Sequence, residues 1–445
     1  MKKSMMKKSI SPGVRAVLLL LIPIAGALVS ITLKRYILLS PMLLAAILLI
    51  LAIDIIISNH LEDKYFSFTL DIPQILNAHC YNYIKVSFKN SHYFSLQLKF
   101  LLKTGVEFDR VYADEILRVN RYDTLNKEIK LFCNRRGVYN IDGIYIRAFS
   151  PLQFFNVDKY VSLNYEVSVI PGILSDRNSF KSVQNQLKST SGMQKNRMIG
   201  DGSHFEMLRD YQKSDEYGKI DWKATARKGR PVTRVFRTEN RLDISIMIDC
   251  GRLLSSTIDI KSILDYSVDA ALILSYSAIK WGDSISITGF ADKIISYVPP
   301  SKDIRAINKI NYQLANLDSK IIESNYKSAL NFINAKLTKR SLIVIFTDII
   351  DNSNAGVLKK SLSILQKKHN ILLVFIKDKS IFELADGKVP SKESIYTKIA
   401  AVDLVIRREK TILELKKTGV KILDLLPEEI NSRIISEYVY LKKRL

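Results

Sequence analysis

Two long apolar runs open the chain, Ala16 to Leu33 and Tyr36 to Ser58, each near the roughly 20 residues that cross a bilayer as a helix. Only Lys34 and Arg35 separate them, which predicts a helical hairpin. A cleaved signal peptide also begins with basic and then apolar residues. Here a second run follows at once, and no small-residue cleavage pattern lies between the two. The Lys-rich amino terminus is expected to stay in the cytoplasm, and an even number of spans returns the chain there. The basic Lys34–Arg35 turn on the far side runs against that rule. Asp54 lies within the second run. It reads either as a functional intramembrane carboxylate or as one that reaches the interface from near the helix end, and its position favours the second.

From about Glu62 to Pro171 the pattern changes to short alternating runs: Tyr65–Leu70, Tyr83–Phe88, Phe94–Leu102, Glu128–Phe132 and Tyr139–Arg147. Turn residues punctuate them, and the spacing predicts an antiparallel β-sandwich. Arg135 to Tyr139 followed by Ile141-Asp142-Gly143-Ile144 reads as a hairpin, closed by an aromatic plug from Phe149 to Phe155. The segment from Gly172 to Gly200 is polar and lacks apolar periodicity, as a linker does.

Beyond it, apolar strands alternate with helical periods. The strands are Leu242–Ile248, Ser284–Gly289, Ser341–Phe346, Ile371–Ile376 and Val420–Leu425, with Lys293–Val298 as an antiparallel edge. The helices are Ile258–Lys280, Ile304–Leu317, Tyr326–Leu337, Leu358–Lys368, Ile399–Lys416 and Glu428–Lys443. Continuous apolar strands imply a sheet covered on both faces. The expected fold class is therefore α/β, with a doubly wound, mostly parallel sheet preceded by a transmembrane hairpin and a β-sandwich. The domains are expected at 1–60 (basic tail and two membrane helices), 61–171 (sandwich), 172–199 (linker) and 200–445 (α/β domain with a charged collar).

Composition narrows the partners. The chain of 445 residues carries a formal net charge of +23 and has room for two or three domains. Outside the first 35 residues the excess is spread over the body, which suits an anionic membrane surface or an acidic protein face. No basic-plus-aromatic nucleic-acid module is visible, and no nucleic acid is expected. Cys80, Cys133 and Cys250 form no CxxC and are expected as buried thiols. The chain has no GxxxxGK[ST] loop, no HExxH and no GxSxG elbow, which argues against catalysis.

Two candidate sites remain. Asp249 and Asp348 both follow strands of the α/β sheet, where ligands of such folds bind. Neighbouring strand-end carboxylates can hold Mg²⁺, but Asp beyond a strand also caps the next helix, and spacing alone favours the cap. The collar, Gly200 to Arg241, is thick with opposite charges. Arg209 and Arg227 are expected to form an internal network with Glu206, Asp210, Asp215 and Asp221, with Trp222 part of the same structural set. Lys228, Arg230 and Arg234 lean towards docking an acidic partner or contacting a membrane.

The segment Phe205-x-x-Leu208-Arg209-Asp210-Tyr211, then Ile220-Asp221-Trp222-Lys223-Ala224-Thr225-Ala226-Arg227, resembles the signature of the domain of unknown function fifty-eight family. The likeness continues through Gly282-Asp283, Phe290, Ser328-Ala329-Leu330, Thr347-Asp348, His369 and Tyr438 to Lys442. It implies a membrane-anchored bacterial protein with a von Willebrand factor A-like domain, lodged in the inner membrane with its soluble domains in the cytoplasm. It implies a MoxR-type AAA+ ATPase as partner, beside other membrane or envelope proteins, and a role as a non-catalytic adaptor. The adhesion-type metal motif of such domains, Asp-x-Ser-x-Ser, reads Asp249-Cys250-Gly251-Arg252-Leu253 here, so both hydroxyls are missing. Ser324 falls near the position of a metal-contacting threonine and Asp348 at that of the last acid, leaving at most a weakly held Mg²⁺, with Asp351 or Ser255 as substitutes. The alternative function is a Mg-dependent phosphate-handling or hydrolytic enzyme using Asp249 and Asp348.

Overall fold

The computed structural model describes residues 6–33, 39–59, 66–109, 115–172, 199–200, 204–237, 241–348, 352–387 and 392–444. The chain divides into two compact units, Met1–Gly172 and Ile173–Leu445. The Lys34–Arg35 turn and most of the expected linker lie outside the described residues.

The first unit begins with a strand, β1 (Met6–Pro12), which the lysine-rich tail gives no apolar alternation to announce. Helices α1 (Val14–Leu33) and α2 (Leu39–Asn59) follow. Within α2, Pro41–Ser58 has a mean hydropathy of 2.6, long and apolar enough to cross a membrane, and Val14–Gly26 is a shorter apolar stretch. Eight strands come next: β2 (Phe66–Asp71), β3 (Ile75–Asn77), β4 (Tyr81–Asn90), β5 (Leu96–Lys103), β6 (Leu117–Val119), β7 (Thr124–Phe132), β8 (Gly137–Phe149) and β9 (Phe155–Ile170). One sheet runs β1-β9-β8-β5-β6, with β3 parallel to β9, and the other runs β2-β4-β7. Alternate residues face inward; on β4 these include Ile84, Val86 and Phe88, which pack with Leu98, Leu131, Ile144 and Val157. Burial pushes the Cys133 thiol up to about 12.

The segment expected as a hairpin is instead continuous strand from Gly137 onward. Asp142-Gly143 looks like a turn, but a bulge between Ile141 and Gly143 carries β8 through it. Glycine is needed at 143 because a Cβ there would stand 2.4 Å from the Val161 carbonyl oxygen of β9.

Asp54 sits near the end of α2, against the turn between β8 and β9. It is fully buried, and its carboxylate accepts hydrogen bonds from Ser150 Oγ (2.5 Å) and the Leu152 backbone N–H (3.3 Å). Ser150 Oγ in turn accepts from the Phe155 N–H at 3.1 Å. Ala16, Ile47 and Leu51 of the helices pack on Phe155 beside Phe154. The aromatic plug is thus the turn between β8 and β9, seated on the helical pair. Asp54→Ala should leave the buried Ser150 hydroxyl without its acceptor, at about 1–3 kcal/mol, and free the Leu152 N–H beside it. The expected result is earlier proteolysis of the detergent-solubilised protein at this turn; protection equal to wild type would refute the latch.

The second unit holds a small collar sheet, β10 (Ile199–Gly200), β11 (His204–Asp210) and β12 (Val232–Arg237), in the order β10-β12-β11. The seven-residue helix α3 (Trp222–Lys228) lies between β11 and β12. The main body then runs β13 (Asp243–Asp249), the short hairpin β14 (Thr257–Ile258) and β15 (Lys261–Ser262), and α4 (Ile263–Lys280). Next come β16 (Ser284–Phe290), β17 (Ile294–Ser301), α5 (Ala306–Ala315), α6 (Tyr326–Lys336), β18 (Leu342–Phe346) and α7 (Asn352–Leu365). The chain closes with β19 (Asn370–Ile376), α8 (Lys379–Asp386), α9 (Lys392–Lys416), β20 (Lys421–Leu425) and α10 (Ile430–Arg444).

The sheet order is β17-β16-β13-β18-β19-β20, parallel except for the β16–β17 edge pair. On one face Ile244, Ile246 and Ile248 pack with α4 and α10. On the other, Met247, Ile343 and Phe375 pack with α6, α7 and α9. Burial on both faces is why these strands lack polar alternation. The chain is a mixed α/β protein of several sheets with an apolar helix near its amino terminus.

Candidate functional site

β13 delivers Asp249 to the carboxyl edge of the sheet, where it is 1% exposed. Its four acceptor positions are met by protein donors. Oδ1 accepts from Ser324 Oγ and from the Gly251 N–H at 2.8 Å. Oδ2 accepts from Tyr326 OH at 2.8 Å and Thr347 Oγ1 at 2.7 Å, and those two hydroxyls are 2.9 Å apart. Burial, and next the Asp249 charge, push the Tyr326 phenol well above its ordinary range, so it stays a donor.

Asp348 follows β18 but faces a different partner, Arg408 of α9. Arg408 Nη1 donates to Asp348 at 2.5 Å, and Nη2 donates to Asp424 at 3.0 Å and to the Ile376 carbonyl at 3.2 Å. The guanidinium lies over the Phe375 ring, 5.8 Å from its centroid. Burial works against the charged form; Asp348 and Asp424 outweigh it and hold Arg408 above its ordinary value.

These residues do not fit a divalent metal. The Gly251 N–H can only donate, and it takes one of the two acceptor positions on Asp249 Oδ1. Asp348 is already neutralised by a guanidinium. Among the described residues no group of three or more His, Cys, Asp or Glu is placed to hold a metal. Ser324 lands on Asp249 as the spacing suggests, but as a hydrogen-bond donor. Ser255 donates to the Arg252 carbonyl at 2.6 Å, and Asp351 lies outside the described residues.

What the acid does is fix a loop. The segment between α5 and α6 is tied to the strand ends by Ser324 on Asp249, by Lys320 N–H to the Cys250 carbonyl (2.7 Å) and by Arg252 N–H to the Ile322 carbonyl (3.0 Å). Asn325 N–H adds a bond to the Ala291 carbonyl at 2.8 Å. Held this way, Ile321 is 91% exposed, with Ile322 half-exposed beside it. Sequence reasoning missed Tyr326, Arg408 and Ile321. Only Tyr326 had a signal, its place two residues after Ser324.

In the collar, one ion pair of the expected network forms, and two others recruit Arg230 and Arg234. Arg209 pairs with Asp215 at 2.5 Å, Arg230 with Asp210 at 3.0 Å, and Arg234 with Asp221 at 3.9 Å. The Gln212 N–H, and then Arg209, hold Asp215 below the usual carboxylate range. Asp221 also caps α3, accepting from the Ala224 N–H at 2.9 Å. So Arg230 and Arg234, read as docking residues, take part in the internal pairing. Trp222, read as structural, is 69% exposed, and Arg227 is exposed on the same short helix. The Glu206 side chain lies outside the described residues.

Fold and site together define a mixed α/β protein whose strand-end acids are engaged internally. Residues 207–411, from the collar through most of α9, match the family described as protein of unknown function DUF58. That is the family whose motifs this segment carries. No curated protein matches the chain. Among solved structures, the chain is similar to the conserved hypothetical protein BatB of Bacteroides thetaiotaomicron. The identity is 11% over 46% of this chain and 100% of that one, with a TM-score of 0.30. It is also similar to proximal thread matrix protein 1 of the mussel byssus, at 13% identity over 45% of each chain, with a TM-score of 0.27.

Proposed function

We propose that this protein is a non-catalytic, membrane-anchored adaptor that binds another protein through the strand-end loops of a doubly wound, von Willebrand factor A-like domain. The observation that carries the reading is the closed hydrogen-bond set around Asp249 beside the exposed Ile321, on a loop tied to the strand ends by hydrogen bonds. A catalytic or metal-binding carboxylate needs an open oxygen. This one has its donors already, and their effect is to present an apolar side chain to a partner. The partner we assign is a MoxR-type AAA+ ATPase, as the family resemblance implies.

The anchor is read as a two-helix hairpin in a bacterial inner membrane. β1, before α1, pairs with β9, beyond α2, from Met6↔Val161 to Pro12↔Phe155. That pairing supports a hairpin in which the chain starts and resumes on one side of the bilayer. The lysines of the tail favour the cytoplasmic side.

Full-length tagged protein recovered from host membranes in detergent tests this. Wild type should bring down the ATPase, and Ile321→Asp should lose it by about tenfold or more without a change in melting temperature. Recovery undiminished in Ile321→Asp would remove the loop from the interface. Absence of any ATPase, even after crosslinking, would end the partner assignment.

A further inference from the structure

We infer that α9 carries a second, outward-facing apolar seam through which two copies of this chain pair antiparallel about a two-fold axis at Ile406. This goes beyond the adaptor reading, because it concerns a different surface and a different partner.

The inner face of α9 is accounted for. Ala401, Thr411, Ile412 and Leu415 are buried in the domain, and Arg408 reaches Asp348. A helix on a domain surface needs one such stripe, with polar residues opposite it. α9 departs from that pattern. Ile406 lies two residues before Arg408, roughly 200° around the helix, and is 57% exposed. Ile395, Ile399 and Leu413 share its side at 43%, 59% and 59% exposure.

The spacing is regular. Ile395, Ile399, Val402, Ile406, Glu409 and Leu413 alternate steps of four and three, the repeat by which helices pack seam to seam. Val402 is half-buried, and Glu409 is the one charged member. At 1.5 Å per residue the seam is about 27 Å long. An exposed apolar stripe of that length on an otherwise charged helix marks an interaction surface.

The flanking charges select the occupant. Asp403 and Lys410 lie along one edge of the seam, both exposed, and Asp403 is held by Arg407 one turn on at 2.7 Å. Turn a second copy antiparallel about Ile406, and Ile406 meets its own counterpart while Ile399 meets Leu413. The same operation sets Asp403 of each copy beside Lys410 of the other, twice over, as an isologous contact requires. Exposed pairs of this kind contribute little affinity, so they fix direction and register while the isoleucines supply the binding.

The test uses the full-length protein in detergent, with its mass separated from that of the micelle by light scattering. Wild type should contain two copies, and Ile399→Asp with Ile406→Asp should contain one, with an unchanged melting temperature. Ile406→Cys should form a disulfide-linked dimer on mild oxidation, and Ile260→Cys, on a different loop, should not. Asp403→Lys should raise the dissociation constant several-fold, and adding Lys410→Asp should restore it. A wild type that stays single at tens of micromolar overturns the proposal, as does a dimer indifferent to the seam substitutions. A seam-dependent dimer in which the charge swap fails to restore affinity overturns the antiparallel register.

Discussion

Replacing Lys442 by Met is expected to destabilise the carboxyl-terminal unit by about 3–5 kcal/mol, the usual cost of breaking a buried ion pair from one side. Lys442, near the end of α10, places its ammonium 2.6 and 2.7 Å from the two oxygens of Asp283, a residue with no exposure at all. Asp283 also accepts from the Leu242 N–H at 3.0 Å and from Tyr438 OH. The ammonium lies over the Trp281 ring, 5.4 Å from its centroid. Burial, followed by the Asp283 charge, raises the Tyr438 phenol far above its usual range, so Tyr438 stays a neutral donor. Without Lys442 a carboxylate stays buried with two neutral donors.

This cluster joins the last helix to the amino-terminal ends of β13 and β16, so the loss should be felt across the sheet. For a unit of this size the melting temperature should fall by roughly 6–20 °C. The double variant Asp283→Asn with Lys442→Met should recover most of that, because it removes the stranded charge while keeping a side chain that can accept from Leu242. A double variant no more stable than Lys442→Met would mean that packing of the lysine stem, and not its charge, is what matters.

The motif Tyr438 to Lys442 was legible in the sequence as part of a family pattern, but its chemistry was not, since the acid it serves lies 159 positions earlier. The same limit runs through the chain. β13 and β18 were legible because Ile244 to Ile248 and Leu342 to Phe346 are apolar without interruption, and only a strand buried on both faces tolerates that. β1 was not, because Lys7, Lys8 and Ser9 carry no alternation and the strand is specified by the partner edge of β9. Asp142-Gly143 was misread because the residues of a turn are also those that allow a close backbone approach. Asp249 stood out by its place at a strand end. Its donors, 77 and 98 positions away, could only be found in three dimensions.

Arg408→Met should cost the same unit a comparable 3–5 kcal/mol, at about the same drop in melting temperature. In a one-dimensional reading Arg408 is one more basic residue on a charged helix, identical in kind to its exposed neighbour Arg407. In the fold it is the cation of the strand-end region, shared between Asp348 and Asp424 and donating to the Ile376 carbonyl. Removing it leaves two carboxylates facing a shared space, with Lys377 3.4 Å from Asp424 as remaining compensation. Arg408→Lys should not rescue stability, because one ammonium cannot span both acids and the carbonyl as a forked guanidinium does. Adding Asp348→Asn to Arg408→Met should restore part of the loss. A protein-borne cation here and a saturated Asp249 beside it also fix the response of wild type to metals. A ligand that binds only the folded state raises stability by RT ln(1 + [L]/Kd). Titrating wild type with millimolar Mg²⁺ should therefore leave its melting temperature unmoved, and removing divalent ions with EDTA should do the same. A rise with Mg²⁺ that disappears in Asp249→Asn would mean that the donors around Asp249 give way to an ion, and it would return the Mg-dependent alternative to first place.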